Sequence, residues 1–144
     1  MAGFFIIWRG DLMIFTLVVH ASPVQHQAPE TALRFARAVL EAGHTLHRVF
    51  FYRDGVLNGN TLVSSPADES NIPEDWQALA KEYPLDLVVC IAAAIRRGVL
   101  DANEARRYDK NQHNLAPGFE LSGLGQLVEA AMLSDRVITF GGRG

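Results

Sequence analysis

At 144 residues, with 49% hydrophobic and 20% charged side chains, the chain suits one folded domain that buries a core, not a disordered tail. Its formal net charge is −3 and no run of Lys or Arg exceeds two, which excludes the basic footprint needed for charge-driven nucleic-acid binding. A single cysteine excludes a disulfide scaffold and fits a reducing cytoplasm, and no apolar stretch reaches membrane-spanning length.

The apolar run Phe4-Phe5-Ile6-Ile7-Trp8 is interrupted by Arg9 and Asp11, and no small-residue cleavage site follows, so it does not read as a targeting signal. Met13 opens the domain, because Ile14 to His20 already forms a β-branched and aromatic strand. Ala21 to Pro29 is a loop with two prolines, and Glu30 to Ala42 an amphipathic helix with Ala32, Phe35, Ala36, Val39 and Leu40 inward and Gly43 as its C-cap. A second strand spans Thr45 to Tyr52. Asp54-Gly55 and Asn58-Gly59-Asn60 are turn signals that open a long polar loop to Asn71.

Pro73 suits the first turn of a helix over Glu74 to Tyr83, with Trp76, Leu79 and Ala80 inward. Asp86 to Ile91 is a third strand ending at Cys90, and Ala92 to Gly98 a helical turn. Asp101 caps a short helix through Arg106, and Tyr108 to Pro117 is loop. Phe119 to Ser122 is a short strand, Ser122 or Gly123 starts a helix to Ser134, and Arg136 to Phe140 is a last strand. Strands alternating with helices predict an α/β domain with a parallel sheet covered on both faces.

Cys90 is the residue with chemistry to offer. It closes an apolar strand just before a helix, where sheets of this class gather ligands and where helix amides favour thiolate over thiol. An apolar strand is equally where an inert, buried cysteine belongs, and the residues by themselves leave both readings open. Arg96 and Arg97 lie about two helical turns on, too far to help a thiolate unless the chain folds back. His20 and His26 flank a loop at the same sheet edge and are candidates for a Cys–His pair, or for plain solvation. His44 and His47 straddle a helix end and a strand start, and nothing resembles a metal-ligand motif. Ser122-Gly123-Leu124-Gly125 offers amides to a small anion or room for close helix packing, while the glycine-free first loop excludes a dinucleotide fingerprint and a P-loop.

Three segments carry a resemblance: Val49-Phe50-Phe51-Tyr52-Arg53-Asp54-Gly55-Val56, Val88-Val89-Cys90 through Arg96-Arg97-Gly98, and Leu121-Ser122-Gly123-Leu124-Gly125-Gln126-Leu127 with Asp135-Arg136-Val137. In order and spacing they resemble the DsrE/TusD family of sulfur-relay proteins from Met13 to about Phe140. Residues 1–12 are then an N-terminal extension outside the fold, 13–140 the domain, and 141–144 a tail. The resemblance implies a three-layer α/β/α domain on a mainly parallel five-stranded sheet. It implies a sulfurtransferase whose catalytic cysteine, here Cys90, carries sulfane sulfur as a persulfide with no metal or cofactor. It also implies a heterohexamer with TusB-like and TusC-like subunits, a TusA-like donor and a TusE-like or DsrC-like acceptor. The pathway implied is 2-thiolation of the tRNA wobble uridine, or sulfur oxidation in the DsrE branch. A non-catalytic structural subunit and a small-anion binder of the same fold are the rival readings.

Overall fold

The computed structural model describes residues 11–141, so the extension expected at 1–12 and the tail at 141–144 lie outside the description apart from Asp11, Leu12 and Gly141. Five strands form one sheet: β1 (Ile14–Val19), β2 (Thr45–Phe51), β3 (Leu87–Cys90), β4 (Phe119–Ser122) and β5 (Arg136–Phe140). Their order is β4-β3-β2-β1-β5, and every neighbouring pair is parallel. The helices are α1 (Ala28–Glu41), α2 (Ile72–Glu82), α3 (Ile91–Arg96), α4 (Ala102–Arg107) and α5 (Gly125–Leu133).

Crossovers between parallel strands are right-handed, and this places the layers. Stepping from β1 to β2 to β3 in one direction puts α1 and α2 together on one face, where they pack on each other. The return from β4 to β5 runs the other way, so α5 crosses the opposite face, over β2 and β1. The result is an α/β/α sandwich with one thick and one thin outer layer. Leu17, Val19, Val49, Phe51 and Val89 fill the thick side with Trp76 and Leu79, and the Phe51 and Trp76 rings meet edge-on at 5.4 Å.

Arg48 ties the thin side together. Its side chain is 8% exposed, and its Nε donates to Asp86 Oδ2 at 2.7 Å while Nη1 donates to the Gln126 carbonyl at 2.7 Å. A buried guanidinium with charged and carbonyl acceptors is satisfied, where a bare one would destabilise the fold.

Several elements differ from the sequence reading: β3 starts at Leu87, α2 at Ile72 and α5 at Gly125, and two further differences bear on the site. Helix α1 begins at Ala28, two residues earlier than expected, because Pro29 occupies its first turn, where a missing N–H loses no bond. The expected polar loop after Asp54 begins as a 3-10 helix, Arg53–Gly59, with Gly55, Val56, Asn58 and Gly59 buried. A Cβ on Gly55 would lie 1.9 Å from the Val19 carbonyl oxygen, and one on Gly59 would lie 3.2 Å from a Val89 methyl. These glycines therefore serve close packing over the sheet's carboxyl edge and do more than turn the chain. The polar loop proper runs from there to Asn71, whose side chain accepts from Glu74 N to start α2.

Candidate functional site

Parallel register aligns the strand ends. Val19 pairs with Phe51 and Phe51 with Val89, so the next residues along this edge are His20, Tyr52 and Cys90, with Ser122 paired to Cys90. Cys90 is at once the last residue of β3 and the N-cap of α3, with extended backbone (φ −61°, ψ 117°). Side chains alternate along a strand, so Arg48, Phe50, Val88 and Cys90 share the α5 face of the sheet.

The thiol is buried, with 2% of the residue exposed. Its side chain makes no capping hydrogen bond to the amides of α3, a helix of only six residues. The expectation that helix amides hold the sulfur directly is therefore not met in this conformation.

The histidines do not join it. His20 lies two strands from Cys90, roughly 10 Å by the spacing of neighbouring strands, and its ring packs edge-on against Tyr52 at 5.8 Å. Burial, and then the nearby Arg53 charge, hold its pKa below the ordinary 6.5. His26 stands in the first loop, half-buried, and neither histidine hydrogen-bonds the thiol. Among the described residues no three His, Cys, Asp or Glu side chains cluster as metal ligands.

The arginines part company. Arg97 folds back, with Nε donating to Asp54 Oδ1 at 2.8 Å and Nη1 to the Ala93 carbonyl, and so pins α3 to the 3-10 helix. Arg96 points to solvent with no ion pair among the described residues. A Cβ on Gly123 or Gly125 would meet nothing within 4 Å, so close packing does not account for these glycines.

Strand order reverses between β1 and β5, and the usual ligand crevice of an open α/β sheet lies at such a point. A cleft of about 420 Å³ opens nearby, lined by Ser22, Gln25, Asp54 and Asn60 among others, but Cys90 is not part of it. The lone cysteine is buried instead at the end of β3. Sequence reasoning located the thiol and its helix; it missed the pairing of Arg97 with Asp54, which lie 43 residues apart in the chain and are joined only by the fold.

Fold and site thus define a parallel α/β/α domain whose one thiol closes a central strand, away from the customary small-molecule cleft. Residues 13–140 match the profile of the DsrE/DsrF-like family, and the chain belongs to that family. It is 51% identical over 129 residues to a DsrE protein of Allochromatium vinosum, covering 90% of this chain and 99% of that one. It is 49% identical to the sulfurtransferase TusD of Cronobacter sakazakii, covering 89% of this chain and all of the relative, and 49% identical to the TusD homolog of Vibrio vulnificus YJ016, covering 88% and 96%. The crystal structure of the ychN protein from E. coli superposes with a TM-score of 0.71 over 90% of this chain and all of that one, at 22% identity, a likeness of fold.

Proposed function

We propose that this chain is a sulfurtransferase subunit of a protein sulfur relay, with Cys90 as the sulfur-carrying residue. The observation that carries the reading is a lone cysteine ending β3 in a chain half identical to proteins named sulfurtransferase TusD. In the loading step Cys90 thiolate attacks the outer sulfur of a donor persulfide; the donor's S–S bond breaks, the donor leaves as thiolate, and Cys90 becomes Cys–S–SH. In the unloading step the acceptor's thiolate attacks that outer sulfur and Cys90 leaves as thiolate. Each step exchanges one S–S bond for another, with no net redox change and no call for a metal or organic cofactor. Burial of Cys90 suits a persulfide that must be kept from water, and it requires the edge to open when a partner docks.

The pathway proposed is 2-thiolation of the tRNA wobble uridine, following the TusD relatives, with a TusA-like donor, a TusE-like acceptor, and TusB-like and TusC-like subunits in a heterohexamer. The DsrE relative at 51% identity supports a second branch, sulfur oxidation with a DsrC-like acceptor. Support for assembly comes from α5, which exposes Leu124, Val128, Met132 and Leu133 as an apolar surface. No helix among the described residues is long and apolar enough to cross a membrane. Burial of Cys90 also favours one rival, a structural subunit with an incidental cysteine.

Intact mass after incubation with a cysteine desulfurase, cysteine and a TusA-like donor tests the reading. The expected result is a gain of about one sulfur atom, removed by dithiothreitol and absent in Cys90→Ser. Cys90→Ser keeps the fold at a cost of about 1–2 kcal/mol for the buried hydroxyl. Equal loading of the variant overturns the role of Cys90. No loading, with no alkylation of Cys90 even in the assembled complex, establishes the structural rival.

A further inference from the structure

We propose that the groove along α3 and α4 is where the sulfur acceptor docks, through a segment whose thiol is flanked by carboxylates and an apolar side chain. This inference rests on the relay reading and names the partner chemistry of the same site. The groove has a volume of about 320 Å³, and its floor is Ile91, Ala92 and Ile95, the first of which directly follows Cys90. Its walls are Arg96, Arg107 and Tyr108. A second hollow of about 370 Å³ shares Ile95 and Tyr108 with it and adds Leu100 and Lys110, so the two adjoin as one trough, with Cys90 lining neither.

Charge selects the occupant. In a chain of net charge −3, five of the 13 Lys and Arg fall between Arg96 and Lys110; Arg97 is already paired with Asp54, while Arg96, Arg107 and Lys110 line the hollows. No carboxylate lines either hollow, and of those in the same stretch only Asp109 is exposed without a partner among the described residues. Asp101 caps α4 through Glu104 N, and Glu104 is 8% exposed, reaching Arg107 only at 3.8 Å. Arg96 and Lys110 carry no ion pair among the described residues. The Arg107 guanidinium also lies over the Tyr108 ring at 5.9 Å, which holds it on the trough wall.

The chemistry distinguishes acceptor from donor. In unloading, the group entering the trough is the acceptor's thiolate, an anion; it attacks the outer sulfur of Cys90–S–SH, the Cys90 S–S bond breaks, and the proton stays with the transferred sulfur. In loading, the attacking thiolate is Cys90 itself and the incoming persulfide is the electrophile. Cations lining the approach therefore act on the acceptor, by stabilising its thiolate and pairing its flanking carboxylates. Docking on Ile91 and Ala92 also places the partner against the first turn of α3, the turn that follows the buried thiol.

The test uses the full chain and two fluorescein-labelled peptides, each with one cysteine and one leucine, flanked by glutamates in one and lysines in the other. Anisotropy is expected to give binding of the acidic peptide at least about tenfold tighter at low salt, fading as salt screens it. Arg96→Glu with Arg107→Glu, and separately Lys110→Glu, are expected to abolish that preference, while Arg34→Glu on the distant α1 leaves it intact. Equal binding of the two peptides, or a preference that survives charge reversal, overturns the proposal. Loading of Cys90 by the TusA-like donor, in the complex with TusB-like and TusC-like subunits, is read by mass alongside. Absent loading overturns the relay reading and the acceptor with it, whereas loading without charge preference overturns the docking groove alone.

Discussion

His20 is the residue whose surroundings speak most directly in pH. Burial against Tyr52 and the charge of Arg53 both disfavour its protonated form. Its pKa is thus lower folded than unfolded, so the unfolded chain binds the extra proton first. Stability from this group is complete above about pH 6.5 and is lost as pH falls through the folded value. Replacing it by glutamine is expected to flatten the dependence of melting temperature on pH between about pH 7.5 and about pH 5.5. Arg53 has φ +52°, in the left-handed region, so Arg53→Gly keeps the backbone and removes the charge. NMR titration of the His20 ring in that variant is expected to show its pKa rising toward 6.5; an unchanged value would assign the whole depression to burial.

Among the elements, the 3-10 helix Arg53–Gly59 decides how the sheet's carboxyl edge is closed. Gly55→Ala drives a methyl into the Val19 carbonyl and is expected to cost about 3 kcal/mol or more, roughly 10 °C in melting temperature. Gly98→Ala is the contrast: φ is +75° but nothing lies within 4 Å, so only about 1 kcal/mol is expected. Thermal melts of both variants separate close approach from backbone strain. Gly55 also shows where reading from sequence ends. Asp-Gly and Asn-Gly look alike locally whether they turn in solvent or pack beneath backbone, and only contacts with β1 and β3 decide. Strands β4 and β5 were legible to the residue, because Phe119–Ser122 and Arg136–Phe140 are short aromatic or β-branched runs between clear breakers. The end of β3 at Cys90 was legible for the same reason. Its burial was one of the two readings the residues left open, and its missing capping bond was not legible at all, since that depends on how the strand end meets the helix.

Among the described residues the whole sandwich is lopsided: α1 and α2 pack together on one face of the sheet, while α5 crosses the other. That thin face leaves Val128 60% and Met132 81% exposed on α5 and Val137 41% exposed on β5. Large apolar side chains exposed together on α5 mark a protein contact. Val128→Lys with Met132→Lys is expected to leave the monomer folded and to abolish co-purification with co-expressed TusB-like and TusC-like subunits; undiminished co-purification would place the contact elsewhere. The strand order has a consequence of its own in time. β5, at the end of the chain, pairs with β1, at its beginning. During synthesis, at about 5–20 residues per second, on the order of ten seconds separate the emergence of β1 from that of the strand that will cover its flank. Through that interval the nascent chain carries an open, β-branched edge of the kind that pairs with strangers. Thr16, whose hydroxyl meets that of Ser134 in the folded protein, is the one polar side chain that β1 carries through that wait.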